Sequence, residues 1–434
     1  MKAPFREIPG SIIAPHGFRA AGVFCDIKRL GTGKGSNKGN KRDLAVIVSD
    51  ARASAAGMFT TNQVCAAPVK LCLERIRSGK AQAIVVNSGN ANACTGKQGL
   101  KDARAMSDLV ATKLKLGHGS VLVSSTGRIG VTLPMQNVRC GIADAIAILG
   151  SSPEHGAQVA EAIMTSDTHP KQIAVEFSLD GKRTRIGGVC KGAGMIQPGM
   201  SVSGKRPAAL HATMLCFITT DAAIAPAALQ LSLEQAVAQS FNRITVDGDM
   251  STNDTVLILA NGRAGNAARG KPALQSALIH VTLALANMIV RDGEGASRFV
   301  TVRVTRAESV SDADAVARAI ANSSLVKTSW CGGDPNWGRI LAALGYSRAN
   351  IIEEKIDVSY SLPGDSKRLF ALRKGQPTNT PFTDLCRIVA QNEFELHINL
   401  NLGKGAAVMY ASDLTEHYVD FNKGDVSDPA SMGG

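Results

Sequence analysis

A mixed α/β fold with more than one compact unit follows from three features of the sequence. Short apolar runs that read as strands recur along the chain and alternate with longer, helix-periodic segments. The chain has 434 residues, enough for two domains or for one large α/β body with a smaller appendage. Its texture changes near residue 298. The expected division is a main domain over 1–297, a smaller α/β unit over 298–410 and a polar tail over 411–434.

Composition narrows the class. Hydrophobic residues make up 44% of the chain and charged residues 19%, as in ordinary globular proteins. Aromatic residues are only 4% while glycines number 43, so the core is built from Ala, Val, Ile and Leu and the chain turns often. The formal net charge is +12. Part of the excess sits in KRLGTGKGSNKGNKR at 28–42, which has no aromatic residue for a base to stack on. Nucleic acid is therefore not an expected partner, and the positive field suits small anionic substrates instead. The nine cysteines are an odd number and none forms a CxxC pair, which points to free thiols in a reducing compartment and away from a zinc site. The N-terminal stretch lacks the apolar core of a signal peptide. The greasiest segment, 273–290, is interrupted by Gln275, Ser276, His280, Thr282 and Asn287 and reads as a buried helix, not a membrane span. A cytoplasmic protein is expected.

In chain order, a strand at 44–48 follows the basic loop, whose glycines fit neither a Walker A loop nor a dinucleotide fingerprint. A strand at 82–86 runs into NSGNANACTG, a loop of small polar residues dense enough to face a ligand. Helical periodicity covers 102–115. A strand at 121–124 ends in Ser125-Thr126-Gly127, where backbone N–H groups and a hydroxyl can be aimed at one point, although a plain turn fits the same residues. TSDTHPK at 165–171 reads as a pocket wall or a capped turn. A hairpin over 173–186, turning at Asp180-Gly181, delivers the chain to Lys191. Ser232 and Gln235 form a capping box for a helix through Phe241, and Ser311 with Asp314 forms another for a helix to Ala321. The acidic run at 247–254 lacks the glycine and glutamate an EF-hand requires, so no metal is expected there. Glu294 lies between two glycines, with close access for a ligand or as part of a solvated turn. Strands are expected at 299–306, 355–362 and 395–402.

One stretch, CKGAGMIQPGMSVSGKRPAALHATMLCFITTD at 190–221, invites a chemical reading. A threonine hydroxyl is a weak nucleophile until a base takes its proton. Cutting the chain before the threonine creates an α-amine that can serve as that base. Cleavage between Ala212 and Thr213 would make Thr213 such a nucleophile. The same residues also make a good buried strand.

Taken together, GVFCDIK, AIVVNSGNANACTG, SSTGRIGVTLP, AIMTSDTHPK, KGAGMIQPGM, ATMLCFITTDAAI, FNRITVDGDMSTNDT, RDGEGASRF and LVKTSWCGGDPNWGRILAALGYS resemble the ornithine acetyltransferase family, also called glutamate N-acetyltransferases. The resemblance covers nearly the whole chain. It implies a layered α/β/β/α sandwich related to self-processing aminopeptidases, with a smaller α/β domain. It also implies cleavage after Ala212 into chains 1–212 and 213–434, assembled two and two. Thr213 matches the nucleophile and Thr126 and Gly127 the oxyanion hole. Thr165, Lys191, Glu294, Asn422 and, on spacing alone, Ser427 match substrate contacts, with the C-terminal tail contributing to the active site. The implied reaction carries acetyl from N-acetylornithine to glutamate by a ping-pong route without cofactor or metal. Whether acetyl-CoA also donates acetyl is left open.

The chain departs from the family pattern in three places. An insertion at 201–211 precedes the cleavage bond, Ser166 stands where threonine is usual, and the ending is only loosely similar. Two rivals stand: a self-processing aminopeptidase or amidase, in which water replaces glutamate at the same nucleophile and oxyanion hole, and an uncleaved, inactive binding protein, which the insertion supports.

Overall fold

The computed structural model describes residues 5–28, 41–204, 214–267 and 272–423. They fall into two compact units. The first is drawn from Met1–Asn242 and Asp249–Ile289, the second from Arg243–Gly248 and Val290–Lys423.

The first unit holds β1 (Phe5–Glu7), β2 (Phe18–Val23), β3 (Leu44–Phe59), β4 (Lys80–Asn90), β5 (Val121–Arg128), β6 (Lys171–Leu179), β7 (Lys182–Lys191) and β8 (Leu215–Thr220). After β9 (Ile244–Thr245), which belongs to the second unit, it adds β10 (Thr255–Ala260). These strands form a nine-stranded sheet in the order β1-β6-β7-β8-β10-β3-β4-β5, with β2 also paired to β3. The sheet does not stay flat. A straight strand as long as β3 would span about 50 Å, but its ladder with β4 is broken between Val48 and Ala53, and such irregularities bend strands. The first half of β3 pairs with β2 and β4. The second half pairs with β10, from Ser54 opposite Ala260 to Phe59 opposite Thr255.

The bend folds the sheet onto itself. Ala45, Ile47, Ile84, Val86 and Leu122 from one half share a single buried cluster with Ala55, Phe59, Val189, Leu215, Phe217, Leu257 and Leu259 from the other. Their alternate neighbours, Leu44, Val46, Val48, Ala83, Val85, Val121 and Val123, turn outward. There they meet Met106 and Val110 of helix Gly96–Leu114 and Val138 and Ile142 of helix Met135–Ala147. Helix Pro272–Arg291 covers the other outer face, where the Cys190 thiol donates to the Leu285 carbonyl. The period of two along each strand thus serves both core layers at once, and the result is the α/β/β/α order. That helix is long and apolar enough to span a membrane by composition, but half of its most apolar window is buried in the protein. It is a core helix, as its polar interruptions suggest.

The second unit adds β11 (Phe299–Ala307), β12 (Asp357–Ser361), β13 (Leu369–Arg373), β14 (Gln376–Pro377), β15 (Glu393–Asn399) and β16 (Gly405–Ser412). The order is β14-β13-β12-β15-β11-β16-β9. Val300, Val302 and Val304 of β11 pack with Val316 and Ile320 of helix Val310–Asn322 and with Trp330 in one buried cluster.

Several boundaries differ from expectation for identifiable reasons. The first strand runs on to Phe59 because its small residues lie under helix Pro226–Gln239, whose Gln230 side chain bonds both the N–H and the carbonyl of Gly57. That helix starts at Pro226 in place of a Ser232 box, since proline at a first helical position needs no N–H partner. The cap expected at Ser311 is made two residues earlier, where the Ser309 side chain accepts from Asp312 N. The second unit begins at Val290 and not 298, and reclaims Arg243–Gly248 because Ile244 and Thr245 pair with Tyr410 and Ala411. The polar tail expected from 411 is instead the end of β16 followed by helix Glu416–Phe421.

Phe217 is fully buried between the two sheet halves. Phe217→Ala should cost about 3–5 kcal/mol, read as a lower urea midpoint at an unchanged slope. Val64→Ala, at a side chain that is 54% exposed, should leave the midpoint within error.

Candidate active site

The site grows from the seam where the two sheet halves meet. β4 and β5 run parallel, with Ser88 opposite Thr126 and Gly89 opposite Gly127. Ser125-Thr126-Gly127 is therefore paired strand, one residue short of the end of β5. Gly127 has φ 127°, and a Cβ there would lie 2.3 Å from the Gly89 carbonyl carbon. Only glycine fits this approach. The NSGN run is also largely strand. Its amides turn inward: Asn87 Nδ2 donates to the Asn90 carbonyl at 2.9 Å, and Asn90 Oδ1 accepts from Asn92 N at 2.8 Å. The Ser125 hydroxyl donates to Asn87 Oδ1 at 2.6 Å.

The residues just before β10 close the seam. Asn253 Nδ2 donates to the Ala91 carbonyl at 2.7 Å and to the Ser125 carbonyl at 2.8 Å, joining one half of the sheet to the other. The next residue, Asp254, is fully buried, and its Oδ1 accepts from Met214 N. The Met214 carbonyl in turn accepts from Thr255 N at 3.0 Å. Met214 is thus pinned at the mouth of β8, one residue after Thr213. Upstream, Ser201 and Phe59 exchange two backbone hydrogen bonds of 2.9 Å. Ala212 and Thr213 themselves, and Ser427, lie outside the described residues.

Lys191 ends β7 directly opposite Leu215, so it stands on the strand beside the one that Thr213 leads into. It is buried, and its charge acts on two carboxylates, Asp167 and Asp254. Asp167 lies inside the TSDTHPK segment and is the centre of that segment's fold. Its Oδ1 accepts from Lys171 Nζ at 2.6 Å and from Gly192 N at 2.7 Å, while Oδ2 accepts from Thr165 N at 2.9 Å. Burial alone would raise the Asp167 pKa. Lys191, Lys171 and the Gly192 N–H outweigh it and hold the carboxyl well below the usual carboxylate range. Asp254 shows the opposite balance. Burial pushes its carboxyl well above the usual range against the weaker pull of the Met214 N–H and Lys191. Thr165 and Asp167 also line a cavity of about 540 Å³ with Lys28, Arg42, Glu161 and Met164.

Thr126, Gly127, Thr165 and Lys191 are therefore brought to one region of the first unit, tied through Asn253, Asp254 and Asp167. These three linking residues are not singled out by the sequence. Asp167 had a signal, because Lys171 follows it by four residues at the head of a strand that reads as buried. Asp254 sat in an acidic run that suggested a cation. Among the described residues no cluster of three or more potential ligands could hold a metal ion.

Glu294 and Asn422 meet in the second unit, where Asn422 Nδ2 donates to Glu294 Oε2 at 3.0 Å. The turn carrying Glu294 is locked from behind. The Thr415 hydroxyl donates to the Gly295 carbonyl at 2.6 Å, and Asp413 accepts from the N–H groups of Ser297 at 2.8 Å and Arg298 at 3.0 Å. Gly295 has φ 66°, and a Cβ there would meet Tyr418 N at 2.4 Å.

Asp167→Asn would leave buried lysines without their carboxylate and should cost about 3–5 kcal/mol at neutral pH, read by urea denaturation. The pKa of Asp167 is depressed by folding, so its stabilisation is complete above the unfolded value of about 3.9 and is lost as pH falls through the lower folded value. The gap between wild type and variant should hold steady down to about pH 4 and narrow below it.

Comparison with known proteins gives this geometry its context. The ArgJ family model matches residues 20–424. The arginine biosynthesis bifunctional protein ArgJ of Symbiobacterium thermophilum is 46% identical over 421 residues, covering 96% of this chain and 98% of the relative. The glutamate N-acetyltransferase of Methanocaldococcus jannaschii is 43% identical over 423 residues, again covering 96% and 98%. A solved structure of ornithine acetyltransferase complexed with ornithine, from Mycobacterium tuberculosis, is 36% identical with a TM-score of 0.41, covering 45% of this chain and 100% of its own. On a family match that takes in every site residue named above except Ser427, the chain belongs to the ArgJ family.

Proposed function

We propose that this chain is a glutamate N-acetyltransferase that cuts itself between Ala212 and Thr213 and then carries acetyl from N-acetylornithine to glutamate on Thr213. The observation that carries this reading is the family match over residues 20–424. The geometry supports it: Met214, whose neighbour Leu215 lies opposite Lys191, is tied through Asp254 and Asn253 to Ser125, next to Thr126 and Gly127.

The chemistry follows from the groups. The Thr213 hydroxyl attacks the acetyl carbonyl while its own α-amine takes the proton. Thr126 and Gly127 stabilise the oxyanion, a contribution of about 3–4 kcal/mol for a donor of this kind. Ornithine leaves with its amine protonated, and an acetyl ester remains on Thr213. The glutamate amine attacks that ester and departs as N-acetylglutamate. Lys191 supplies the positive charge for the substrate carboxylate. Glu294, oriented by Asn422, supplies the negative charge for the δ-ammonium. Thr165 borders the 540 Å³ cavity and serves as a polar contact. Ser427 is retained as a substrate contact on spacing alone.

This chemistry needs no cofactor. Acetyl-CoA as a second donor to the same threonine would make the enzyme bifunctional, the word in the Symbiobacterium relative's name. We also infer an assembly of two 1–212 chains and two 213–434 chains. It would act in the cytoplasm, where the nine free cysteines stay reduced.

Denaturing mass spectrometry should find two fragments, beginning at Met1 and Thr213, that sum to 45.3 kDa plus one water. Thr213→Ala should remain one intact chain without transferase activity, and a wild-type chain that stays whole and inactive would sink the reading. Glu294→Gln should still be cut but should lose about 10–100-fold in kcat/KM for N-acetylornithine in steady-state assays, the loss expected for one charged hydrogen bond.

A further inference from the structure

The Thr415 hydroxyl makes two hydrogen bonds of opposite sense, and they lead to the two members of one pair. It donates to the Gly295 carbonyl at 2.6 Å, in the turn that carries Glu294. It accepts from Tyr418 N at 3.3 Å, in the first turn of helix Glu416–Phe421. That helix has six residues and is followed directly by Asn422, whose Nδ2 donates to Glu294 Oε2. A helix so short does not hold itself in water. Its direction is set by contacts near its start, the Thr415 cap and the Tyr418 hydroxyl, which donates to Asp247 Oδ2 at 3.3 Å. All of these residues belong to the second unit.

The two bonds together require a hydroxyl. A helix cap needs only an acceptor, and aspartate serves there as well as threonine. The bond to the Gly295 carbonyl needs a donor, which a carboxylate lacks. Thr415 is buried, so water does not readily replace either bond. The pair that it braces has a definite chemistry. Both hydrogens of the Asn422 amide are committed, one to Glu294 and one to the Tyr418 carbonyl at 2.9 Å. Among the described residues no donor is bonded to Asn422 Oδ1 or to Glu294 Oε1. Two acceptors and one negative charge are therefore left open, which suits an ammonium group, with three donors and no acceptor.

We propose that Thr415 is a positioning residue for the charged end of the acetyl donor: its hydroxyl fixes the Glu294 turn and the Asn422 helix to each other, and so sets the spacing of the acceptors that tell N-acetylornithine from an uncharged N-acetyl amino acid. Without the hydroxyl, Glu294 keeps its charge but loses its place relative to Asn422. The loss then falls on binding of the ammonium end and not on the acetyl chemistry. Thr415 itself touches no substrate in this scheme; it acts through Glu294 and Asn422.

This proposal rests on the assignment of Glu294 to the δ-ammonium made above, and the test separates the two. Steady-state assays compare N-acetylornithine with N-acetylnorvaline, which lacks only the δ-amino group, and the readout is the ratio of their kcat/KM values. Thr415→Val should lower kcat/KM for N-acetylornithine by about 3–10-fold, mostly through KM, the loss expected for one neutral hydrogen bond, and leave that for N-acetylnorvaline unchanged. Thr415→Ser should restore the wild-type ratio. Thr415→Asp keeps the helix cap but not the donor and should lower the ratio as valine does. Added to Glu294→Gln, Thr415→Val should lower the ratio no further, since it acts through that carboxylate. Equal losses for the two donors, or a wild-type ratio in both Thr415→Val and Thr415→Asp, overturn the proposal. If Thr415→Val does not fold by circular dichroism, Thr415→Asp decides on the same ratio. A Glu294→Gln enzyme that keeps the wild-type ratio overturns the assignment of Glu294 and this proposal with it. One that loses the ratio while the Thr415 variants keep it overturns the role of Thr415 alone.

Discussion

The break in the β3 ladder between Val48 and Ala53 is the constraint on which the first unit depends. Without it, β4 and β10 would pair at opposite ends of a strand about 50 Å long. With it, one sheet becomes two facing layers with a shared core, and Asn253 can reach from the entry of β10 to carbonyls at the ends of β4 and β5. The layered order and the seam, with Asn253 on the Ser125 carbonyl and Asp254 on Met214 N, are consequences of that one bend. Alanine, serine and glycine make it feasible. The run ARASAAGM offers little side-chain bulk to the concave side, so the two half-sheets can close over Phe59 and Phe217.

Charge at the seam is arranged unevenly. Asp167 gathers two buried lysine charges and two backbone N–H groups, so its carboxylate is well satisfied. Asp254 lies near only one of those lysines and receives one N–H. Lys191 acts on both of these buried acids, and they are driven in opposite directions. The contrast comes from the number of donors each carboxyl group meets, since both are removed from solvent.

Much of this was legible in the sequence, and the remainder was hidden for physical reasons. The hairpin at Asp180-Gly181 is visible because two residues must take positive φ, and both do, at 55° and 70°. Strand cores at 44–48, 82–86 and 121–124 are visible because they are continuous apolar runs. Their extensions are not, since Ser54–Phe59, Asn87–Asn90 and Ser125–Arg128 are built from small and polar residues whose strand character comes from neighbours distant in sequence. The second unit's claim on Ile244 and Thr245 was invisible for the same reason: two residues carry no periodicity, and only pairing with β16 defines them. The residue types of the site were legible through resemblance. Asp167 and Asp254, which tie Thr165, Lys191 and Met214 together, were not, because burial and not residue type gives a carboxylate its role.

The insertion at 201–211 is the chief departure from the family pattern, and its cost is bounded by its anchors. Ser201 is held by its two hydrogen bonds to Phe59, and Asn242 fixes both the N–H and the carbonyl of Met200. Met214 is fixed by Asp254 and Thr255. Loop-closure entropy grows only logarithmically with length, at about 0.6 kcal/mol per doubling, so extra residues between two fixed points weigh little against the packing on either side. The described anchor next to the proposed cleavage bond is Met214, on its C-terminal side. A longer approach on the N-terminal side leaves that constraint untouched. On this reasoning the insertion is compatible with the proposed cleavage, because the anchor at Met214 lies downstream of it.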